Sequence, residues 1–176
     1  MLVGKKVKLR AILKDDLEAL HDMYNDPAVI TFLDTKGDVS LASFEAKLES
    51  HYEAGNKNSE WLVLENEESK VTGSVFYNSK WRKTLAFIEN LYVGKEYRNR
   101  GFATDAIKLL CKFLFEEREF KRIEVLIRED SAPALRVFEK TGFKIEGVRR
   151  KSAYSKGKYL DEIFMSLLDH EYFRRK

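Results

Sequence analysis

Cysteine, proline and histidine are scarce in this chain of 176 residues, which contains one, two and three of them respectively. The single cysteine, Cys111, excludes an intrachain disulfide framework and a cysteine-rich zinc site. The histidines lie far apart in the sequence, so we expect no metal site. There is no low-complexity tract and no proline-rich linker. We therefore expect one domain that covers residues 1–176.

Long apolar runs are also missing. No stretch approaches the roughly 20 apolar residues that cross a bilayer, and residues 1–10 lack the apolar core of a signal peptide. We therefore expect a cytoplasmic protein with no membrane partner. The 32 basic and 29 acidic side chains give a net charge of only +3. Such a balance argues against a nucleic-acid partner, because binders of nucleic acid usually carry a strongly basic face.

The charge is unevenly distributed along the chain. Residues 1–90 carry twelve basic and fifteen acidic side chains, whereas residues 91–176 carry twenty and fourteen. Acidity peaks in residues 11–53, where ten carboxylates accompany three lysines. One interpretation is two amphipathic helices with solvated outer faces. The other is that the two halves of the protein bind ligands of opposite charge.

Apolar periodicity predicts a mixed α/β protein. Period-two alternation and short apolar runs predict strands over residues 7–11, 61–65, 71–77, 85–93, 123–127, 143–148 and 163–168. Spacings of three and four predict a helix that Asp15 or Asp16 caps and that ends near Pro27, followed by helices from about residue 40 to 55, over 103–117 and over 132–140.

The most informative segment is residues 91–104, LYVGKEYRNRGFAT. An apolar strand ends there, a loop with Arg98, Arg100 and Gly101 follows, and a helix then begins. Unpaired N–H groups and the helix dipole make a helix N-terminus a binding site for phosphate. Gly101 lets an anion approach the backbone closely, since it has no side chain. The segment matches neither the Walker motif nor the Rossmann fingerprint.

These residues and a second strand–helix unit resemble the GNAT N-acetyltransferase superfamily. Its acetyl-CoA motif, [Arg/Gln]-x-x-Gly-x-[Gly/Ala], is matched by Arg98, Gly101 and Ala103. Its second signature, Asn-x-x-Ala-x-x-x-Tyr-x-Lys-x-Gly-Phe, is similar to Ser131, Ala134, Phe138, Lys140, Gly142 and Phe143. The tail segments at residues 146–149, 157–161 and 165–167 are similar to the subgroup of ribosomal-protein N-terminal and spermidine/spermine acetyltransferases.

The resemblance implies a mostly antiparallel central sheet flanked by helices, with acetyl-CoA bound where residues 85–93 and 123–127 splay apart. The residues that it implies for acetyl-CoA binding are Leu91, Tyr92, Val93, Arg98, Asn99, Arg100, Gly101, Phe102, Ala103, Thr104, Ser131, Ala134, Phe138 and Lys140. Two of them depart from the family pattern. Ser131 replaces an asparagine, and Phe138 replaces the tyrosine that often serves as the general acid.

The family's reaction is a direct attack of an amine on the thioester, so a group must take a proton from the amine. Glu89 is our candidate base, because it is the carboxylate nearest to Leu91 in an otherwise apolar strand. Alternation places residues 89 and 91 on one face and Tyr92 on the other. A backbone N–H near Leu91 is the candidate to polarise the thioester carbonyl. A solvent-facing Glu89 is the alternative.

The acceptor is left open by the sequence. Family members usually form the acceptor site with their N-terminal helices, and the acidic residues 11–53 lie there. We therefore expect a cationic amine such as a polyamine, and Trp81 is a candidate to line its site. The alternatives are the N-terminal amine of a protein and a catalytically weak sensor that binds CoA. The oligomeric state is also open, a homo-oligomer included.

Overall fold

The computed structural model describes residues 1–32, 38–53, 59–79 and 84–175. The predictions for Trp81 and for the end of the second helix at residues 55–56 lie outside these ranges. The strands are β1 (Leu2–Val3), β2 (Lys8–Ala11), β3 (Ser59–Glu65), β4 (Val71–Asn78), β5 (Leu85–Val93), β6 (Arg122–Arg128), β7 (Lys144–Ser155) and β8 (Lys158–Leu168). The helices are α1 (Leu17–Tyr24), α2 (Pro27–Ile30), α3 (Leu41–Glu53), α4 (Phe102–Lys112), α5 (Ala132–Thr141) and α6 (Asp169–Phe173). Within the described ranges, no helix combines the length and apolarity that crossing a bilayer requires.

The strands form one sheet in the order β1-β2-β3-β4-β5-β6-β8-β7. Only the β5–β6 pair is parallel among the described ladders, and every other neighbouring pair is antiparallel. The predicted mixed, mostly antiparallel sheet with flanking helices is thus confirmed. The sequence prediction for 143–148 was too short, because β7 continues to Ser155 and forms a long hairpin with β8.

Helices cover both faces of the sheet. On one face, here called the α4 face, Ile107 of α4 and Phe138 of α5 pack into a core with the strands. On the other, the α1 face, Tyr24 of α1 packs on Phe44 of α3, which packs on Trp61. A cross-strand neighbour therefore shows which core a strand residue faces, because directly opposed residues share a face.

A nearly buried ion network joins the start of α1 to the sheet. The Arg10 guanidinium donates two hydrogen bonds to the Asp16 carboxylate, at 2.6 and 2.9 Å, and one to Glu65 at 2.5 Å. The Leu13 N–H also donates to Asp16, at 2.7 Å. Burial opposes the ionisation of Asp16, but the bonds from Arg10 and Leu13 outweigh it and hold the pKa of Asp16 below its ordinary value.

Replacing Asp16 with Asn should therefore destabilise the protein by about 2 kcal/mol, because the largely buried Arg10 loses one of its two charged partners and keeps only Glu65. Since the folded pKa of Asp16 is depressed, this difference is complete above the unfolded pKa of about 3.9 and disappears as the pH falls through the folded pKa. Urea unfolding at pH 7 and pH 3 measures it. Asp15→Asn is the control, since Asp15 is the exposed neighbour. Equal stability of the two variants at pH 7 would contradict the assignment.

Candidate functional site

A gap opens in the sheet between its two parallel strands. The ladder from β5 to β6 starts at Leu85–Arg122 and stops at Ile88–Val125. Both strands continue beyond that point, β5 to Val93 and β6 to Arg128. We call this region, residues 89–93 on one side and 126–128 on the other, the β5–β6 gap. The splaying that the sequence resemblance implied is therefore present.

A β-bulge lies in β5 at the start of the gap. Phe76 is paired with Glu89 and Ser74 with Tyr92, so two residues of β5, Asn90 and Leu91, oppose Val75 alone. Asn90 adopts a left-handed conformation with φ of 49°. In the described ladders, neither bulged residue has a registered partner on β4 or β6. The bulge therefore leaves backbone polar groups available at the edge of the gap.

The bulge overturns the prediction that residues 89 and 91 share a face. Glu89 opposes Phe76, a member of the core on the α1 face, and Tyr92 belongs to the same core. Leu91 packs against the core on the α4 face. Alternation fails here because the extra residue reverses the side-chain pattern of the strand. Glu89 thus lies on the α1 face, opposite to the helices that follow the gap.

The Glu89 carboxylate is half-buried and held by a neighbouring strand. The Asn78 side-chain amide donates a hydrogen bond to Glu89 Oε1 at 2.6 Å. Asn78 itself is buried and ends β4. Asn78 was missed in the sequence, where a terminal asparagine is indistinguishable from an ordinary turn residue. The contact fixes one oxygen of Glu89, while the residue as a whole stays partly exposed.

The N-terminus of α4 follows the end of β5 after a loop of residues 94–101. Gly101 is its N-cap, with φ of 83°, and no side chain of the described residues caps the helix. The first backbone bond into the helix runs from the Asp105 N–H to the Gly101 carbonyl at 3.0 Å. The amides before Asp105 therefore keep the unpaired donors of a first helical turn. Together with the missing Cβ of Gly101, they form a cradle for an anion.

The arginine of the motif is engaged with the protein itself. Arg98 Nε donates to the Val93 carbonyl at 3.0 Å, and Arg98 Nη2 donates to Asp26 at 2.7 Å. Burial opposes the ionisation of Asp26, but the Ala28 N–H and Arg98 outweigh it, so the pKa of Asp26 is lowered. Arg98 is therefore a clamp between the end of β5 and the α1–α2 junction, a contact that the sequence motif does not reveal.

These features agree with the comparisons. A model of the acetyltransferase (GNAT) domain matches residues 6–144. The chain belongs to the GNAT acetyltransferase family. It is 21% identical over 166 residues to the spermidine N(1)-acetyltransferase of Escherichia coli strain K12, covering 94% of this chain and 88% of that protein. As an N-acetyltransferase of this family, it uses acetyl-CoA as co-substrate.

Solved structures show the same fold. An acetyltransferase of the GNAT family from Bacillus anthracis has a TM-score of 0.85 at 20% identity and covers 96% of this chain and 98% of its own. The spermidine N-acetyltransferase from Vibrio cholerae in complex with CoA and spermine also has a TM-score of 0.85 at 20% identity, covering 95% and 98%. At this identity the likeness establishes the fold of the acetyltransferase and leaves its acceptor open.

The residues of the second GNAT signature are spread along α5. Ser131 and Ala134 lie at its start, next to the end of β6 and hence to the mouth of the gap. Phe138 is buried and packs edge-on against Phe143, with ring centroids 5.0 Å apart. Lys140 is exposed in the last turn, about 13 Å along the axis from Ser131. The structure therefore places Ser131 and Ala134 with the gap, whereas the role of Lys140 towards CoA stays a prediction.

The mouth of the gap on the α1 face has a contact that the sequence analysis did not foresee. Arg128, at the end of β6, donates hydrogen bonds to the Thr31 carbonyl and to Asp130. Its guanidinium lies 4.6 Å from the centre of the Phe32 ring. Arg128 thus ties β6 to the segment after α2, as Arg98 ties β5 to the segment before it.

Cys111 is excluded as a nucleophile by its surroundings. It is 2% exposed in the core on the α4 face, and burial raises the pKa of its thiol far above the ordinary value. A thiol must ionise to attack. This confirms the interpretation of Cys111 as a core residue. The family's reaction does not need such a nucleophile, because the acceptor amine attacks the thioester directly.

Proposed function

We propose that this GNAT enzyme transfers an acetyl group from acetyl-CoA to a primary amine of a cationic acceptor such as a polyamine. The observation that carries the proposal is Glu89, a half-buried carboxylate that Asn78 holds beside the gap on the face of α1. A primary amine is protonated at neutral pH, and it attacks only after losing a proton. Glu89, directly or through a water molecule, is the group assigned to accept that proton.

The residues around the gap fit acetyl-CoA, which when bound supplies the thioester that the amine attacks. The backbone of Leu91, Tyr92 and Val93 offers a free strand edge to the pantetheine arm, in the manner of an added strand. The amides of residues 98–104 and the open side of Gly101 offer donors to the pyrophosphate. Ser131 and Ala134 line the other side of the gap. The Leu91 N–H, in the bulge, is assigned to polarise the thioester carbonyl.

The charge of the acceptor side supports a cationic substrate. Of the ten carboxylates in residues 11–53, Asp16 and Asp26 are neutralised by Arg10 and Arg98, which lie outside that stretch. Five others remain exposed on the surface around α1 and α3, namely Asp15, Glu18, Asp22, Asp38 and Glu49. They attract a cation at long range. The likeness to the E. coli spermidine N(1)-acetyltransferase along 94% of the chain supports the same class of acceptor.

The acceptor class is tested by thiol release from acetyl-CoA with a panel of amines. We expect kcat/KM for spermidine to exceed that for butylamine by about tenfold at low salt, and the ratio to fall as salt screens the charges. Mass spectrometry of the products identifies the acetylated nitrogen. Preference for neutral or anionic amines would refute the cationic acceptor. Preference for a peptide N-terminus would favour the protein-directed alternative, and tight CoA binding with no turnover of any amine would favour the sensor.

A further inference from the structure

A lysine from the N-terminal segment reaches the anion cradle at the start of α4. Lys6 Nζ donates a hydrogen bond to the Arg100 carbonyl at 2.6 Å, across 94 residues of sequence. A Cβ built on Gly101 would lie 3.1 Å from the same Lys6 Nζ. The ammonium group therefore sits on the open side of Gly101, where a residue with a side chain would project.

The position of Lys6 is fixed through its backbone. The carboxylate of Asp105, in the first turn of α4, accepts hydrogen bonds from the Lys6 N–H at 2.7 Å and the Val7 N–H at 3.1 Å. Gly4 lies so close to this turn that an added Cβ would be 2.5 Å from Asp105 Oδ2. The segment is thus held against the start of α4, and the Lys6 ammonium group lies beside Arg100 and Gly101.

Two arginines were predicted for this place from the sequence. The Arg100 guanidinium lies 6.0 Å from the centre of the Tyr97 ring. Arg98 directs its Nε and Nη2 atoms to the Val93 carbonyl and to Asp26, with which it forms an ion pair. Lys6 has three N–H donors and uses one of them on Arg100, which leaves two for a ligand. A compact ammonium group with free donors beside helical amides is suited to a phosphate oxygen.

We propose that Lys6 is a phosphate-binding residue of the acetyl-CoA site and contacts the pyrophosphate that lies on the amides of α4. Arg98 then acts as the structural clamp of the motif, and the cation that meets the phosphate comes from a segment outside the motif. The assignment rests on acetyl-CoA use by the family. It is independent of which amine is acetylated.

Calorimetric titration of the full chain with CoA and with dephospho-CoA tests the contact. Lys6→Gln is expected to raise the dissociation constant of both ligands by about tenfold, because both contain the pyrophosphate. Lys6→Arg should recover most of the affinity, and Lys5→Gln, at the exposed neighbouring lysine, should leave it unchanged. An unchanged dissociation constant for Lys6→Gln overturns the proposal. So does a loss seen with CoA alone, which would assign Lys6 to the 3′-phosphate.

A kinetic comparison separates binding of phosphate from support of the loop. S-acetylpantetheine carries the thioester without any phosphate, so its kcat/KM should be the same for the wild type and Lys6→Gln. A loss equal to that seen with acetyl-CoA would show that Lys6 acts by shaping the loop, and would overturn the proposal. The titrations contain no acceptor amine, so a wrong acceptor assignment leaves their outcome unaffected.

Discussion

Replacing Glu89 with Gln is expected to lower kcat for amine acetylation by about two to three orders of magnitude at pH 7. Glutamine has the same shape and retains an oxygen that can accept the hydrogen bond from Asn78. What it loses is the capacity to take a proton from the acceptor ammonium. Stopped or continuous assays of thiol release at saturating acetyl-CoA measure the change, and the KM for acetyl-CoA should stay near that of the wild type.

The pH dependence distinguishes a base from a structural carboxylate. The neutral fraction of an aliphatic amine with a pKa near 10.4 rises about tenfold per pH unit below that pKa, so at high pH the amine needs no base. The deficit of Glu89→Gln should therefore shrink steadily between pH 7 and pH 10. Glu60→Gln is the matched control, since Glu60 lies on β3, which β4 separates from β5, and pairs with Arg118. A deficit that is constant with pH, or a kcat at pH 7 equal to that of the control, would remove Glu89 from the role of base.

Replacing Gly101 with Glu is expected to raise the dissociation constant of acetyl-CoA by about a hundredfold, which corresponds to about 2.7 kcal/mol. Three effects add. The new carboxylate repels phosphate at a helix N-terminus, it competes for Lys6, and the left-handed φ of 83° is strained for a residue with a Cβ. Gly101 is exposed, so the core is unaffected. Calorimetry measures the affinity directly.

Gly157 provides a control with the same strain. It has a φ of 79°, and among the residues that the structure describes, none other than its chain neighbours has an atom within 4 Å of an added Cβ. It lies in the turn between β7 and β8, away from the gap. Gly157→Glu should therefore match Gly101→Glu in backbone cost and in charge while leaving the affinity for acetyl-CoA unchanged. If the two variants bind acetyl-CoA alike, the cradle at Gly101 is not where its phosphates lie.

Most helices and strands could be predicted from the sequence, because burial of one face imposes a periodic pattern of apolar residues. The bounds of β5 were predicted to the residue, and the continuous helical segment after Gly101 begins within one residue of its prediction. The β7–β8 hairpin was underestimated because β7 is an edge strand with few buried side chains and so lacks apolar alternation. The turn of this hairpin is Lys156-Gly157, and both residues have a positive φ, as a type I′ turn requires. The glycine was the local sequence signal for it.

The site was predictable only where its chemistry is local. The loop and Gly101 lie within one motif, and a helix N-terminus follows from the chain direction alone. The bulge at Asn90 was missed because the alternation rule assumes an uninterrupted pleat. An asparagine inside an apolar strand was the available signal, as asparagine tolerates the left-handed region better than most residues. Lys6 and Asp26 meet the loop across 94 and 72 residues, and no periodicity encodes such contacts.

The β5–β6 gap has a mechanical consequence for the whole sheet. The β5–β6 contact divides the sheet into two parts, strands β1–β5 and strands β6, β8 and β7. Only four registered residue pairs of the described ladder, from Leu85–Arg122 to Ile88–Val125, join these two parts. An extended ligand arm that binds along the gap extends this contact by several hydrogen-bonded positions. If acetyl-CoA binds in the gap as proposed, the co-substrate also holds the two parts of the sheet together, and after its departure the four registered pairs alone do so.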